Sequence, residues 1–207
     1  MTSRGPLDSW WRGKSNRRVG LSIRFCFKVS QCSAWALHFR IMSRTPDQDP
    51  RLNWPKLTLP ACSADVQKRD KQWSVRCAVR KKWVKLEPEE WVRQHVVAAL
   101  VTAGWPVSRM MLEYPVRFGQ VEGRVDIACV DRQGRVALAV EVKAPQVPLN
   151  QSVADQVARY DLALGCPWLM ISNGLQNAVW LRNKDGVCRP HRGWPIPEAE
   201  GGSDSVE

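Results

Sequence analysis

Three charged residues stand where the chain otherwise reads as the inside of a protein. The run Val136-Ala137-Leu138-Ala139-Val140-Glu141-Val142-Lys143-Ala144 is apolar until its end, as a central strand covered on both faces would be. Glu141 and Lys143 put two charges at the margin of a core, where an uncompensated ion is costly. Side chains alternate along a strand, so these two share one face and Val142 takes the other. A lone acid interrupts a second apolar run, Val125-Asp126-Ile127-Ala128-Cys129-Val130. Two carboxylates on one face repel each other unless a cation lies between them. With the Val142 carbonyl and water, Asp126 and Glu141 form the hard oxygen donor set that suits Mg²⁺ or Mn²⁺. Such a site leaves room for a phosphate oxygen and an attacking water. Lys143 could position that water or stabilise charge developing on phosphorus. The chemistry indicated is metal-dependent phosphodiester hydrolysis. The competing reading is a satisfied ion pair at a sheet end, because a Glu-x-Lys triplet alone arises often by chance.

Register decides whether these groups meet. The polar stretch Asp131-Arg132-Gln133-Gly134 predicts a hairpin between the two runs. A four-residue loop sets Asp126 opposite Ala139, and a two-residue loop sets it opposite Glu141. Either one brings the aspartate to the shared face, within roughly 4.5–8 Å of its neighbours. A three-residue loop would turn it away.

The surrounding elements are legible from periodicity. Pro88 at a first helical position, followed by Glu89 and Glu90, starts a helix. Its apolar face is Trp91, Val92, Val96, Ala99, Leu100 and Ala103, and Gly104 ends it. Strand-like runs follow at 110–118, 124–130 and 136–143, then a helix at 151–164 closed by Gly165. Two more strands, 168–172 and 178–182, flank an Asn173-Gly174 turn. The order α-β-β-β-α-β-β implies an α/β or α+β fold with a mixed sheet and helices on it. Upstream, Leu57–Leu59 and Trp73–Val79 read as β-like runs of a lead-in packed on the domain.

Taken together these residues resemble the PD-(D/E)XK nuclease superfamily, whose restriction-endonuclease-like αβββαβ core carries an acid on the second strand and Glu-x-Lys on the third. More narrowly, residues 57–183 resemble the N-terminal nuclease domain of type I restriction enzyme R subunits. The similar stretches are Arg80–Val84, Glu89–Gln94, Arg124-Val125-Asp126, Glu141–Pro145, Asp155–Tyr160 and Ser172-Asn173-Gly174. The resemblance implies that Asp126 and Glu141 are metal ligands and Lys143 the catalytic lysine of a Mg²⁺-dependent DNA endonuclease (a hydrolase of restriction-modification). It also implies that Gln156 and Tyr160, four apart on one helix face, help orient the site and the DNA. Glu90 is a weaker candidate, since helix-dipole complementarity explains both first-turn acids. Val125 replaces the superfamily's proline. No G-x-x-x-x-G-K-[ST] loop occurs, so the chain carries no ATP-driven motor of that kind. The expectation is a free-standing module, a fragment, or a relative working with separate motor or specificity subunits. The alternative is a non-catalytic module that keeps the scaffold to bind nucleic acid or a partner subunit.

Composition bounds these readings. A chain of 207 residues, 44% hydrophobic and 25% charged, suits one ordinary domain with flanking sequence and excludes collagen-like repeats, coiled coils and wholesale disorder. The net charge of +11 is uneven: residues 1–41 hold +7 and the other 166 residues +4. Basic charge therefore says little about the folded part. The expected organisation is a basic, disordered extension over 1–50, with Met42 the favoured true start, a nuclease-like domain over 51–191 with its core at 80–183, and an acidic disordered tail over 192–207. Seven cysteines, an odd number without paired spacing, suggest a reducing compartment. The most apolar stretch, 21–39, is broken by Arg24, Lys28 and His38, so no membrane span is expected and a cytoplasmic location is.

Overall fold

The computed structural model describes residues 48–118 and 121–197, and every structural statement below concerns these. Two sheets and two long helices make up the architecture. A small antiparallel sheet joins β1 (Val66–Arg69), β2 (Gln72–Arg76) and β3 (Trp83–Lys85). Helix α1 spans Pro88–Thr102 and α2 spans Gln151–Leu164. The main sheet has the spatial order β4 (Met110–Phe118), β5 (Val121–Val130), β6 (Val136–Val142), β7 (Trp168–Ser172), β8 (Asn177–Arg182), β9 (Cys188–His191). The chain order α1-β4-β5-β6-α2-β7 is the αβββαβ order expected, in a mixed α+β sheet. Only β6 and β7 run parallel, and α2 supplies the crossover that a parallel pair needs. Both edge strands carry a proline, Pro115 in β4 and Pro190 in β9, where a missing N–H is tolerated.

The sheet separates two cores. Val92, Val96 and Leu100 of α1 pack with Ile127, Cys129, Leu138, Val140, Val142 and Met170. On the α2 side, Val153 and Tyr160 pack with Val125, Ala139, Leu169 and Ile171. Alternation along β6 thus sends Leu138, Val140 and Val142 toward α1 and leaves Ala139 and Glu141 facing α2. In β5 the alternation breaks at Asp126: Val125 joins one core, while Ile127 and Cys129 join the other.

The structure departs from the sequence reading in four places. Leu57–Leu59 is not a strand; instead Thr58 bonds through its N–H and its hydroxyl to the Gly174 carbonyl. Strand β9 escaped periodicity, since Cys188-Arg189-Pro190-His191 has no apolar alternation and is an exposed edge. Asp49 and Pro50, expected in the extension, belong to a 3-10 turn over Pro50–Asn53 that Asp49 caps; the part of the expected extension before residue 48 lies outside the described residues. The stretch 194–197, expected as tail, lies along the domain. Pro195 is buried and accepts a 2.9 Å bond from the Trp105 indole N–H, while Pro197 touches the space beside Gly104. The tail from residue 198 lies outside the described residues. No described helix is long and apolar enough to cross a membrane.

Candidate active site

The β5–β6 hairpin solves its register in an unexpected way. Asp131 N–H bonds to the Arg135 carbonyl and the Asp131 carboxylate caps Gln133 and Arg135. Val130 pairs with Val136, so the connection has an odd number of residues. Continued regularly, that pairing would turn Asp126 away from Glu141. A bulge intervenes: the next pair is Cys129 with Leu138, which leaves Ala137 unmatched. From there Ala128–Ala139 and Ile127–Val140 pair in the register that sets Asp126 beside Glu141.

At Asp126 both neighbouring ladders are interrupted. On the β4 side, pairing passes from Leu112–Ile127 to Tyr114–Val125 and skips Glu113, whose φ of 55° is left-handed. On the β6 side the ladder stops at Ile127–Val140. The aspartate carboxylate fills the gap. Its Oδ2 accepts the Val142 backbone N–H at 2.8 Å, and its Oδ1 accepts Arg93 Nη2 of α1 at 2.8 Å. Lys143 Nζ donates to Glu141 Oε1 at 2.5 Å. The other glutamate oxygen, Oε2, is buried with no hydrogen-bond donor, and the residue is only 3% exposed. Burial, then the nearby Asp126 charge, pushes the Glu141 carboxyl up to about 7, against the pull of Lys143 and Tyr160.

Gln156 and Tyr160 arrive from α2. Gln156 Nε2 donates to the Tyr160 hydroxyl at 2.8 Å, and that hydroxyl donates to the Arg124 carbonyl at 2.6 Å. Burial, followed by the charge of Glu141, pushes the phenol up from its ordinary value. Tyr160 therefore both packs in the core and stands beside the glutamate. Glu90 reaches Asp126 only through Arg93. It is buried and takes bonds from Arg93 and from Gln94 Nε2 (2.7 Å), with Arg80 at 3.4 Å. Arg80 also pairs with Glu113 at 3.0 Å. Its neighbour Glu89 is pushed up by burial and by Asp126, and shares Arg93 Nη2 at 3.2 Å.

Sequence reasoning assigned no role to Arg93, Arg80 or Glu113. The available signal was that Arg93 falls one helical turn after Glu89 and Glu90, close enough to bridge both. The predicted set Asp126, Glu141 and Lys143 is brought together, with Gln156 and Tyr160 behind it. No three described His, Cys, Asp or Glu side chains form a ready metal cage. What the fold does bring together are the two carboxylates of Asp126 and Glu141, a pairing that would suit a cation keeping several waters. Around it the acids Glu89, Glu90, Glu113, Asp126 and Glu141 outnumber the cations paired with them, Arg80, Arg93 and Lys143. A cavity of about 1150 Å³ lined by Trp105, Arg109, Trp168 and Arg182 lies at the other end of β6 and does not include these residues.

Residues 88–189, just under half of the chain, match the family described as type I restriction enzyme R protein N terminus. No curated protein matches the chain. Among solved structures, a fragment assigned to an HsdR subunit of a type I restriction enzyme from Vibrio vulnificus YJ016 is similar at 21% identity with a TM-score of 0.42. The match covers 55% of this chain and 24% of that one. By its family match, the stretch that holds α1, the acid-bearing strands and α2 resembles the N-terminal domain of type I restriction enzyme R subunits.

Proposed function

We propose that this domain is a Mg²⁺- or Mn²⁺-dependent DNA endonuclease that hydrolyses phosphodiester bonds, acting with separate motor or specificity subunits of a type I restriction system. The observation that carries the reading is the buried, donor-less Oε2 of Glu141 beside Asp126 and Lys143. A buried carboxylate oxygen without a donor is costly, and a cation there would offset the cost. In this reading Asp126, Glu141 and the Val142 carbonyl would hold the ion, which would supply activation of water and charge neutralisation at the phosphate. Lys143 pairs with Glu141, opposing the burial that favours its protonated form, and offers a proton donor at the reacting phosphate. Tyr160 and Gln156 fix the glutamate's surroundings from α2.

Cleavage of plasmid DNA by the purified protein is expected with Mg²⁺ or Mn²⁺ and not with EDTA. Glu141→Ala and Lys143→Ala should each slow it about 100-fold or more. Equal rates for the unsubstituted protein and Lys143→Ala would overturn the assignment. One observation favours a second reading, a non-catalytic module binding nucleic acid or a partner subunit: both oxygens of Asp126 already have protein donors. That reading requires binding that weakens with salt but is indifferent to EDTA and to Glu141→Ala.

A further inference from the structure

We propose that Arg93 is a positioning residue for the acid pair: its guanidinium is a fork that fixes the Asp126 carboxylate against β6 and ties it to the first turn of α1. The inference rests on the metal-site reading above and adds a residue to it. Arg93 is buried at 6% exposure, although it lies on what periodicity marks as the polar side of an amphipathic helix. Its two terminal nitrogens are divided between elements. Nη1 holds Glu90, and Nη2 holds Asp126 at 2.8 Å and Glu89 at 3.2 Å. Its Nε is buried without an acceptor, so the side chain sits where the fork can serve the acids, at the expense of one of its own hydrogen bonds.

The anchor behind the fork is also fixed. Glu90 is held by Gln94 Nε2, and the Gln94 carboxamide oxygen accepts the Ala78 N–H at 3.1 Å. Arg80 joins Glu90 to Glu113, the skipped position of β4. A line of alternating charge thus runs from β4 through α1 to Asp126. With Oδ1 on Arg93 and Oδ2 on the Val142 N–H, the plane of the carboxylate is determined at both ends. A lysine keeps the charge but concentrates it on one nitrogen, without the planar fork that serves Glu90 and Asp126 from separate nitrogens.

Calorimetric titration of the purified full chain with Mn²⁺ separates the possibilities, with thermal unfolding in EDTA read in parallel. Arg93→Lys, which leaves the net charge unchanged, should bind Mn²⁺ about 10-fold more weakly or worse. Arg93→Met removes a cation and on charge alone would tighten binding; the fork predicts weakening. A merely structural arginine would lower the melting temperature and leave the affinity of the folded protein alone. Equal Mn²⁺ affinity in Arg93→Lys overturns the inference while the metal site stands. No Mn²⁺ binding by the unsubstituted protein overturns the metal reading and the inference with it.

Discussion

Glu141 lies on the α2 face of β6 with one oxygen on Lys143 and the other facing no donor, and that asymmetry has a consequence for stability. Its carboxyl is pushed from 4.5 up to about 7, by burial first and by Asp126 second. Between those values the folded protein holds a proton that the unfolded chain has released. Stability of the metal-free protein should therefore rise as pH falls from about 8 to about 5, and Glu141→Gln should flatten that slope. His95 works the other way: burial lowers its pKa, so it opposes folding as pH falls below its ordinary range. Comparing Glu141→Gln with the unsubstituted protein cancels the histidine. Melting temperatures measured in EDTA across this range check the expectation, and an unchanged slope in the glutamine variant would assign the effect elsewhere.

Among the elements, the turns show how local conformation and packing separate. Asn173-Gly174 joins β7 to β8, with the Asn173 carboxamide oxygen accepting the N–H groups of Leu175 and Gln176. Gly174 has a φ of 81°, and a Cβ there would meet Leu57 Cδ2 at 2.7 Å and Val92 Cγ2 at 3.0 Å. Gly134, in the β5–β6 hairpin, has a φ of 78° with nothing within 4 Å. Both substitutions to alanine strain the backbone, by about 1 kcal/mol. Gly174→Ala adds overpacking against α1 and the lead-in, so its total cost should reach about 2–4 kcal/mol. Denaturant unfolding of the two variants measures the difference, and equal losses would show that the Leu57 contact yields freely.

At the scale of the whole molecule, α1 is covered on more than its apolar stripe. The sheet takes Val92, Val96 and Leu100, while the lead-in meets the helix from elsewhere, with Ala78 N–H on Gln94 and Cys62 Sγ on the Gln94 carbonyl. That second cover reaches Gln94 and, through Arg80, Glu90. The C-terminal stretch closes the far end of the same helix. Trp105 is 3% exposed, donates to Pro195, and packs with Trp194 in the core. Ending the chain after Arg192 should expose that indole, lower stability by about 1–3 kcal/mol, and shift tryptophan fluorescence to longer wavelength. Unchanged emission and unfolding would mean that 194–197 contribute nothing to the core.

Apolar periodicity alone was enough to place α1, α2 and the strands of the main sheet except β9, because each buries one face or both against a neighbour. The Glu-x-Lys end of β6 and the lone acid of β5 were visible for the same reason: charge is conspicuous in an apolar run. Their meeting was not determined locally. The odd connection at 131–135 would have separated them, and the unmatched Ala137 restores the register, a compensation that depends on how two strands twist past each other. Arg93 was equally hidden, since an arginine on the polar side of a helix is ordinarily solvated. Only the tertiary structure, by bringing the acid of β5 against that side of α1, turned it into a buried partner for Asp126.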